Sequence, residues 1–256
     1  MRFAGRLGRV LLALLMALGM AIALALCERF GVPDRHGRQQ RWTRTFMAAM
    51  CRALPYRVQV HGQLPTTTML WLSNHVSWAD IAVLGHLAPM VFLAKDDVRR
   101  WPLAGWLASR AGTFFIRRGS NDNQALRQHM AGHLHRRGPL VIFPEGTTTD
   151  GRDVRTFHGR LLACAIEAGV PIQPVALRYF NGGQPCTVSP FIGDDDMLSH
   201  LIRLLRQPCL EVHVHLLPPI ASHGQERAAL AHAAHSAVRA VLQGQNLEPS
   251  AMASAA

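Results

Sequence analysis

The sequence predicts an α/β domain with a largely parallel, mixed sheet flanked by helices. A helical segment that associates with a membrane precedes it. Three observations carry this expectation. From residue 56 onward, short apolar runs of strand length alternate with longer stretches of helical periodicity, the pattern of strands joined by crossover helices. A charge-free run, VLLALLMALGMAIALALC, extends from Val10 to Cys27; as a helix it is about 27 Å long, close to the depth of a hydrocarbon core. Hydrophobic residues make up 49% of the 256, which is enough for a sizeable core.

The elements follow in order. Arg2, Arg6 and Arg9 precede the apolar run, and Arg29, Arg35, Arg38, Arg41, Arg44 and Arg52 follow it. Between those later arginines, Trp42, Phe46, Met47, Met50, Ala53 and Leu54 recur at near-helical spacing. This predicts a second helix, lying in the lipid headgroup layer or packed on the domain. Basic residues on both flanks give no clean orientation and fit a hairpin that enters and leaves one leaflet. The competing reading of the apolar run is a cleaved leader, with Ala23-Leu24-Ala25 as a small-residue cleavage site. A lipoprotein leader is disfavoured by Leu26 immediately before Cys27. Strands are expected at 57–61, 68–72, 91–94, 113–116, 140–143, 174–178 and 211–216. Helices are expected at 78–87, 103–111, 121–137, 159–168, 197–206 and 225–242. The chain thus divides into a membrane and basic-helix segment (1–55), the α/β domain (56–247) and a disordered tail (248–256).

Composition narrows the partners. The formal charge is +11, and Lys95 is the single lysine among 27 basic residues, the rest being arginine. Such a surplus favours an anionic phospholipid surface or an acidic carrier. Nothing resembles a finger, a homeodomain or an RNA-binding sheet motif, so nucleic acid is not expected. Cys27, Cys51, Cys164, Cys186 and Cys209 are scattered and odd in number, and read as reduced packing residues in a cytosol-like compartment. No metal site is expected. His129 and His133 have an i, i+4 spacing without a completing ligand, and His213 and His215 alternate on one strand face as solvated or packed residues. Asp194-Asp195-Asp196 reads as a loop and helix start.

Chemistry gathers at strand ends. Asn74-His75-Val76-Ser77-Trp78-Ala79-Asp80 follows one apolar run, Phe143-Pro144-Glu145-Gly146-Thr147 closes another, and Gly112-Thr113-Phe114-Phe115-Ile116-Arg117-Arg118 ends a third. Ligands of open α/β sheets bind where strands end, so three polar clusters at three strand ends point to one cleft. A histidine in a strand-to-helix turn with a carboxylate five residues on suits a base and its orienting partner. Neutral imidazole takes a proton, and the carboxylate fixes its tautomer.

These blocks resemble those of the glycerolipid, PlsC-like lysophospholipid acyltransferases. Asn74, His75, Ser77 and Asp80 match NHxSxxD; Gly112, Phe115, Ile116 and Arg118 match GxxFIxR. Phe143, Pro144, Glu145, Gly146 and Thr147 match FPEGT; Val170, Pro171, Ile172, Pro174 and Val175 match VPIxPV. Order and approximate spacing agree over roughly residues 57–220. The resemblance implies transfer of a fatty acyl chain from acyl carrier protein or coenzyme A thioester to a lysolipid hydroxyl, with no cofactor. His75 is the expected general base and Asp80 its orienter. Arg118, Glu145, Gly146, Thr147 and Lys95 are the expected substrate contacts. Asn74, Ser77, Gly112, Phe115, Pro144 and Pro171 are motif support, with Ser77 as a helix cap and Asn74 shaping the turn locally. The expected location is the inner (cytoplasmic) membrane, with the site facing the cytoplasm.

Two departures bear on the acceptor. Many relatives continue the third block as EGTR, where this chain has Thr148, and lysine often follows the equivalent of Phe157, where this chain has His158. Losing that arginine weakens the case for a bare phosphate monoester. Acylation of 1-acyl-glycerol-3-phosphate to phosphatidic acid is the first expectation. Lyso-ornithine lipid or another lysophospholipid is the alternative, since similar threonine-rich loops occur in acyltransferases of lyso-ornithine lipid. A lipid hydrolase and a non-catalytic membrane adaptor are the rival classes.

Overall fold

The computed structural model describes residues 2–117 and 123–244. Two long helices open it, α1 (Arg2–Arg29) and α2 (Arg35–Ala53). Strand β1 (Tyr56–His61), β2 (Leu70–Ser73) and helix α3 (Asp80–Gly85) follow, then β3 (Val91–Lys95), α4 (Ala104–Arg110) and β4 (Phe114–Ile116). Helix α5 (Asn123–Arg136), β5 (Leu140–Ile142), α6 (Ala163–Ala168) and β6 (Ile172–Asn181) come next. A short β7 (Gln184–Pro185), α7 (Met197–Leu205), β8 (Leu210–Leu216) and α8 (Arg227–Leu242) complete the domain.

The sheet runs β1-β8-β6-β2-β5-β3-β4, with β7 hairpinned onto β6. All neighbours pair in parallel except β6 with β8 and with β7. Strand alternation sends Leu70, Leu72, Ile142, Ile172 and Ala176 into a core with residues of α5, α6 and α8. It sends Trp71, Val141, Val175, Leu177 and Val212 to the other face, against α2, α3 and α7. Central strand β2 is buried along its whole length, as a strand covered on both faces must be. Strand β2 lies where the chain changes sides: it is followed by β3 on one flank, and β5 crosses back over it to β6. That crevice is the usual ligand position of an open α/β sheet.

The N-terminal helices are part of this packing. Small residues Ala13, Ala17 and Ala21, with Val10 and Leu24, form the buried face of α1. They recur at helical spacing and let α2 approach closely. Leu11, Leu12, Leu15, Ile22 and Leu26 on the remaining surface are exposed. Helix α1 is thereby long and apolar enough to cross a membrane, with only 28% of its apolar window buried in the protein. Val10, Ala53, Leu54, Ala79 and Leu205 pack as one cluster, joining α1 and α2 to α7 and to the turn before α3. Arg6 reaches across to donate to the carbonyls of Leu205, Gln207 and Pro208. These are acceptors at the end of α7, whose last carbonyls have no partner within the helix.

One of two open placements is decided, and one expected helix needs correction. Helix α2 is packed on the domain, the second of the two placements left open: Met47, Met50 and Cys51 pack into the core against α3. The helix expected at 159–168 is a 3-10 turn (Gly159–Leu161) followed by α6. There the backbone passes so near α8 that a Cβ on Gly159 would stand 2.9 Å from the Arg227 carbonyl. The tail at 248–256 lies outside the described residues.

Replacing Arg6 with alanine leaves carbonyls at the end of α7 unpaired and removes a strap between α1 and the domain. The loss is on the order of 2 kcal/mol for charge-assisted hydrogen bonds. Thermal unfolding in detergent reads it as a lowered midpoint, and an unchanged midpoint contradicts the strap.

Candidate active site

Strands β2, β3, β4 and β5 run parallel, so their C-terminal ends share one edge. His75 leaves β2 there, Phe143-Pro144-Glu145 leaves β5, and Lys95 ends β3 beside Ile116 of β4. Arg117, next in the chain, approaches Asp96 at 3.5 Å. Arg118 lies outside the described residues.

The His75 ring is fixed on one side by Asp80, whose Oδ2 lies 2.8 Å from Nδ1. The same oxygen accepts the backbone N–H groups of Val76 at 2.7 Å and Ser77 at 3.0 Å. The other oxygen, Oδ1, accepts the Tyr179 hydroxyl from β6. Asp80 is fully buried, and a carboxylate in that position is stable only when its lone pairs are filled. Burial first, then the negative charge of Asp80, push the Tyr179 phenol far above its ordinary range, so it stays an O–H donor. With four donors turned inward, Asp80 has one tautomer of His75 to accept from: the one with hydrogen on Nδ1 and a lone pair on Nε2. Nε2 makes no hydrogen bond among the described residues, and the side chain keeps 18% of its exposure.

The ring also has a floor. Phe143 stacks on it with centroids 3.9 Å apart and planes 14° from parallel, and Phe92 continues the stack beneath Phe143. The backbone of His75 is held at both ends. Its N–H donates to Glu145 Oε1 at 2.8 Å, and its carbonyl accepts the Thr149 N–H at 2.8 Å.

Several sequence-predicted residues take different places from those expected. The two Glu145 oxygens accept backbone N–H groups, from His75 and from Arg155 at 2.8 Å. Glu145 therefore braces two loops rather than presenting an open carboxylate. Burial raises its carboxyl above the usual range, and those two donors act in the opposite sense. Asn74 bonds across the sheet rather than locally: its Nδ2 donates to the Leu177 carbonyl at 3.0 Å and its Oδ1 accepts the Leu177 N–H at 2.7 Å. It extends the β2–β6 ladder one step past Ser73 and Val175. Ser77 does not cap α3. It is fully buried with its Oγ 3.4 Å from the Ala79 N–H, and Asp80 takes the nearby orphan N–H groups.

The other motif positions shape the loops around the dyad. Gly146 turns the loop at φ +67, a left-handed conformation that costs other residues, and its N–H donates to the Phe143 carbonyl at 3.1 Å. Pro144 is buried and its carbonyl accepts the His158 N–H at 3.1 Å, while Thr147 is half-buried on the same loop. Gly112, at φ +83, turns the chain after α4, and the Phe115 ring carries the Arg99 guanidinium 4.5 Å above it. The Pro171 carbonyl accepts the Leu70 N–H and so starts the β2–β6 pairing. Thr148, in the arginine position of many relatives, donates through Oγ1 to the Phe191 carbonyl. Phe191 in turn donates to the Val76 carbonyl at 2.9 Å, so position 148 ties the 190s loop to the histidine loop.

Sequence reasoning missed Tyr179 and Thr149. Both reach the dyad through the fold, from 99 and 74 residues away. The one clue to Tyr179 was its place just beyond the fourth block.

A buried acid, an oriented imidazole and a lone-pair nitrogen at the edge of an α/β sheet have the geometry to take a proton from a hydroxyl. A family model described as Acyltransferase matches residues 57–178. The chain is 54% identical over 239 residues to the lyso-ornithine lipid O-acyltransferase of Pseudomonas aeruginosa, covering 93% of each. It is 31% identical over 176 residues to a 1-acyl-sn-glycerol-3-phosphate acyltransferase of Neisseria meningitidis, covering 68% of this chain and 69% of that one. The crystal structure of PlsC from Thermotoga maritima shares the fold, with a TM-score of 0.62 at 20% identity, covering 95% and 98% of the two chains. The chain belongs to the PlsC-like acyltransferase family, and it is an O-acyltransferase.

Replacing Tyr179 with phenylalanine leaves a lone pair of buried Asp80 unfilled, at about 1–3 kcal/mol. The expected result is a lower thermal midpoint and a kcat reduced roughly tenfold for each 1.4 kcal/mol that falls on the transition state. Wild-type kcat in that variant contradicts the role of the phenol in holding the dyad.

Proposed function

We propose that this enzyme transfers a fatty acyl chain from an acyl carrier protein or coenzyme A thioester to the free hydroxyl of a lysolipid. Lyso-ornithine lipid is the acceptor it suits best. The observation that carries the mechanism is the 2.8 Å contact between His75 Nδ1 and Asp80, which leaves Nε2 as the base. Nε2 takes the acceptor's hydroxyl proton as its oxygen attacks the thioester carbonyl. The C–O bond forms, the C–S bond breaks, and the proton passes to the departing thiolate. Asp80 stabilises the transient imidazolium without itself being protonated. The thioester is the only other reactant, and no step uses a cofactor.

Acceptor choice rests on charge at the loop after β5. Thr148 is bonded to the Phe191 carbonyl, so the arginine that would grip a phosphate monoester is replaced by a neutral tie. Lys95, Arg118 and the Gly146-Thr147 turn remain as contacts for the single carboxylate of an ornithine headgroup. Relatives named lyso-ornithine lipid O-acyltransferase match 93% of the chain at 54% and 34% identity. A second reading, acylation of 1-acyl-glycerol-3-phosphate, is supported by the Neisseria relative.

The enzyme sits on the inner (cytoplasmic) membrane with its site facing the cytoplasm, where both donors occur. What supports this is α1, packed on the domain through Arg6 and its alanine face, with its leucines exposed. The cationic surface suits anionic lipid and an acidic carrier alike.

Labelled acyl-thioester supplied with a panel of lysolipids tests the assignment. Label is expected in diacylated ornithine lipid. Label in phosphatidic acid alone overturns the acceptor, and label in free fatty acid alone overturns transfer. His75→Ala is expected to lose about 10²–10⁴-fold in rate, the range of general-base catalysis, while remaining membrane-bound. Undiminished transfer by that variant discards the base.

A further inference from the structure

Strands β1 and β8 pair in parallel at the sheet edge, with His61 opposite His215 and Gln59 opposite His213. Alternation places His213 and His215 on one face of β8. The three imidazoles each bring a ring nitrogen within 4.8 Å of the others. His61 Nε2 lies 3.1 Å from His213 Nδ1, and the His61 and His215 rings stack with centroids 4.5 Å apart. His215 Nε2 is buried without a hydrogen-bond partner, an arrangement that costs free energy unless something fills it. We propose that His61, His213 and His215 form a binding site for one divalent transition-metal ion of the zinc type, clipping edge strand β1 to β8.

The geometry is that of a three-histidine site. Tetrahedral zinc with bonds of about 2.0–2.1 Å sets its nitrogen ligands about 3.3 Å apart, and the His61–His213 pair already stands near that separation. The second nitrogen of His213, Nε2, faces Glu211 Oε2 at 3.8 Å. This is the carboxylate–histidine–metal arrangement that orients a ligand ring and raises its basicity. Arg178, opposite His213 on β6, adds positive charge but holds its guanidinium over the Phe180 ring, 4.9 Å from the centroid. The site is remote in sequence from the catalytic loops and takes no part in acyl transfer. It fastens β1, the strand fed directly by α2, so a bound ion stiffens the joint between the helical hairpin and the domain.

The test is a titration of untagged full-length protein in detergent, stripped with chelator, with Zn²⁺ alone by calorimetry. A single saturable site per chain is expected, together with a raised thermal midpoint. Co²⁺ substituted into the site is expected to give the absorption of a tetrahedral complex. His61→Ala, His213→Ala and His215→Ala each abolish the isotherm, and Glu211→Gln weakens it by about 10–100-fold, the usual effect of an outer-shell partner. The paired variant His129→Ala with His133→Ala binds as wild type, and all variants keep acyl transfer, which confirms their fold. No saturable binding, or zinc binding undiminished when His61 and His215 are both replaced, overturns the proposal. So does binding that disappears with His129 and His133 instead.

Discussion

The structure turns on one buried carboxylate. Asp80 has no solvent and collects four donors: the Nδ1 of His75, the N–H groups of Val76 and Ser77, and the phenol of Tyr179. These donors have separate origins in the fold. The two backbone groups exist because the chain turns sharply between β2 and α3. The phenol exists because β6 lies beside β2. The imidazole is the donor whose other end is free to work. A charged group buried this deeply holds its neighbours in one arrangement, because any departure leaves a lone pair unfilled.

The surrounding loops repeat that logic. Glu145 clamps His75 from the β5 side, Thr149 holds its carbonyl, and Asn74 stitches the end of β2 to Leu177. Phe143 supplies an apolar face for the ring. The ends of β2 and β5, with β6 beside them, thus deliver one side chain to one position, which a loop alone cannot do with the accuracy that proton transfer requires. The membrane helices join the same framework. Ala79, one residue before Asp80, packs with Val10 of α1 and Leu205 of α7. The apolar N-terminal helix and the turn that carries the dyad therefore share a packed cluster, which fixes His75 in relation to α1.

Local features were legible in the sequence, and long-range ones were not. The dyad could be read because His75 and Asp80 lie five residues apart across a strand-to-helix turn, and the apolar helix announced itself by composition. The roles of Glu145 and Asn74 were misread because each depends on a partner 70 and 103 residues away. Their chemistry as free side chains suggests substrate contact and local turn bonding, respectively, and only the fold shows those groups already engaged. Tyr179 was missed for the same reason. The β6–β7 hairpin did leave a mark, Asn181-Gly182-Gly183-Gln184 with both glycines at positive φ, the usual two-residue turn. The histidine cluster is the converse case: His213 and His215 look like an ordinary alternating strand until β1 brings His61 alongside.

The direction of the His75 proton is the central claim, and nitrogen-15 NMR of histidine-labelled protein observes it directly. With the His75 resonances assigned by their loss in His75→Asn, the account predicts hydrogen on Nδ1 and a bare lone pair on Nε2 at neutral pH. Hydrogen found on Nε2, with Nδ1 unprotonated, would contradict it.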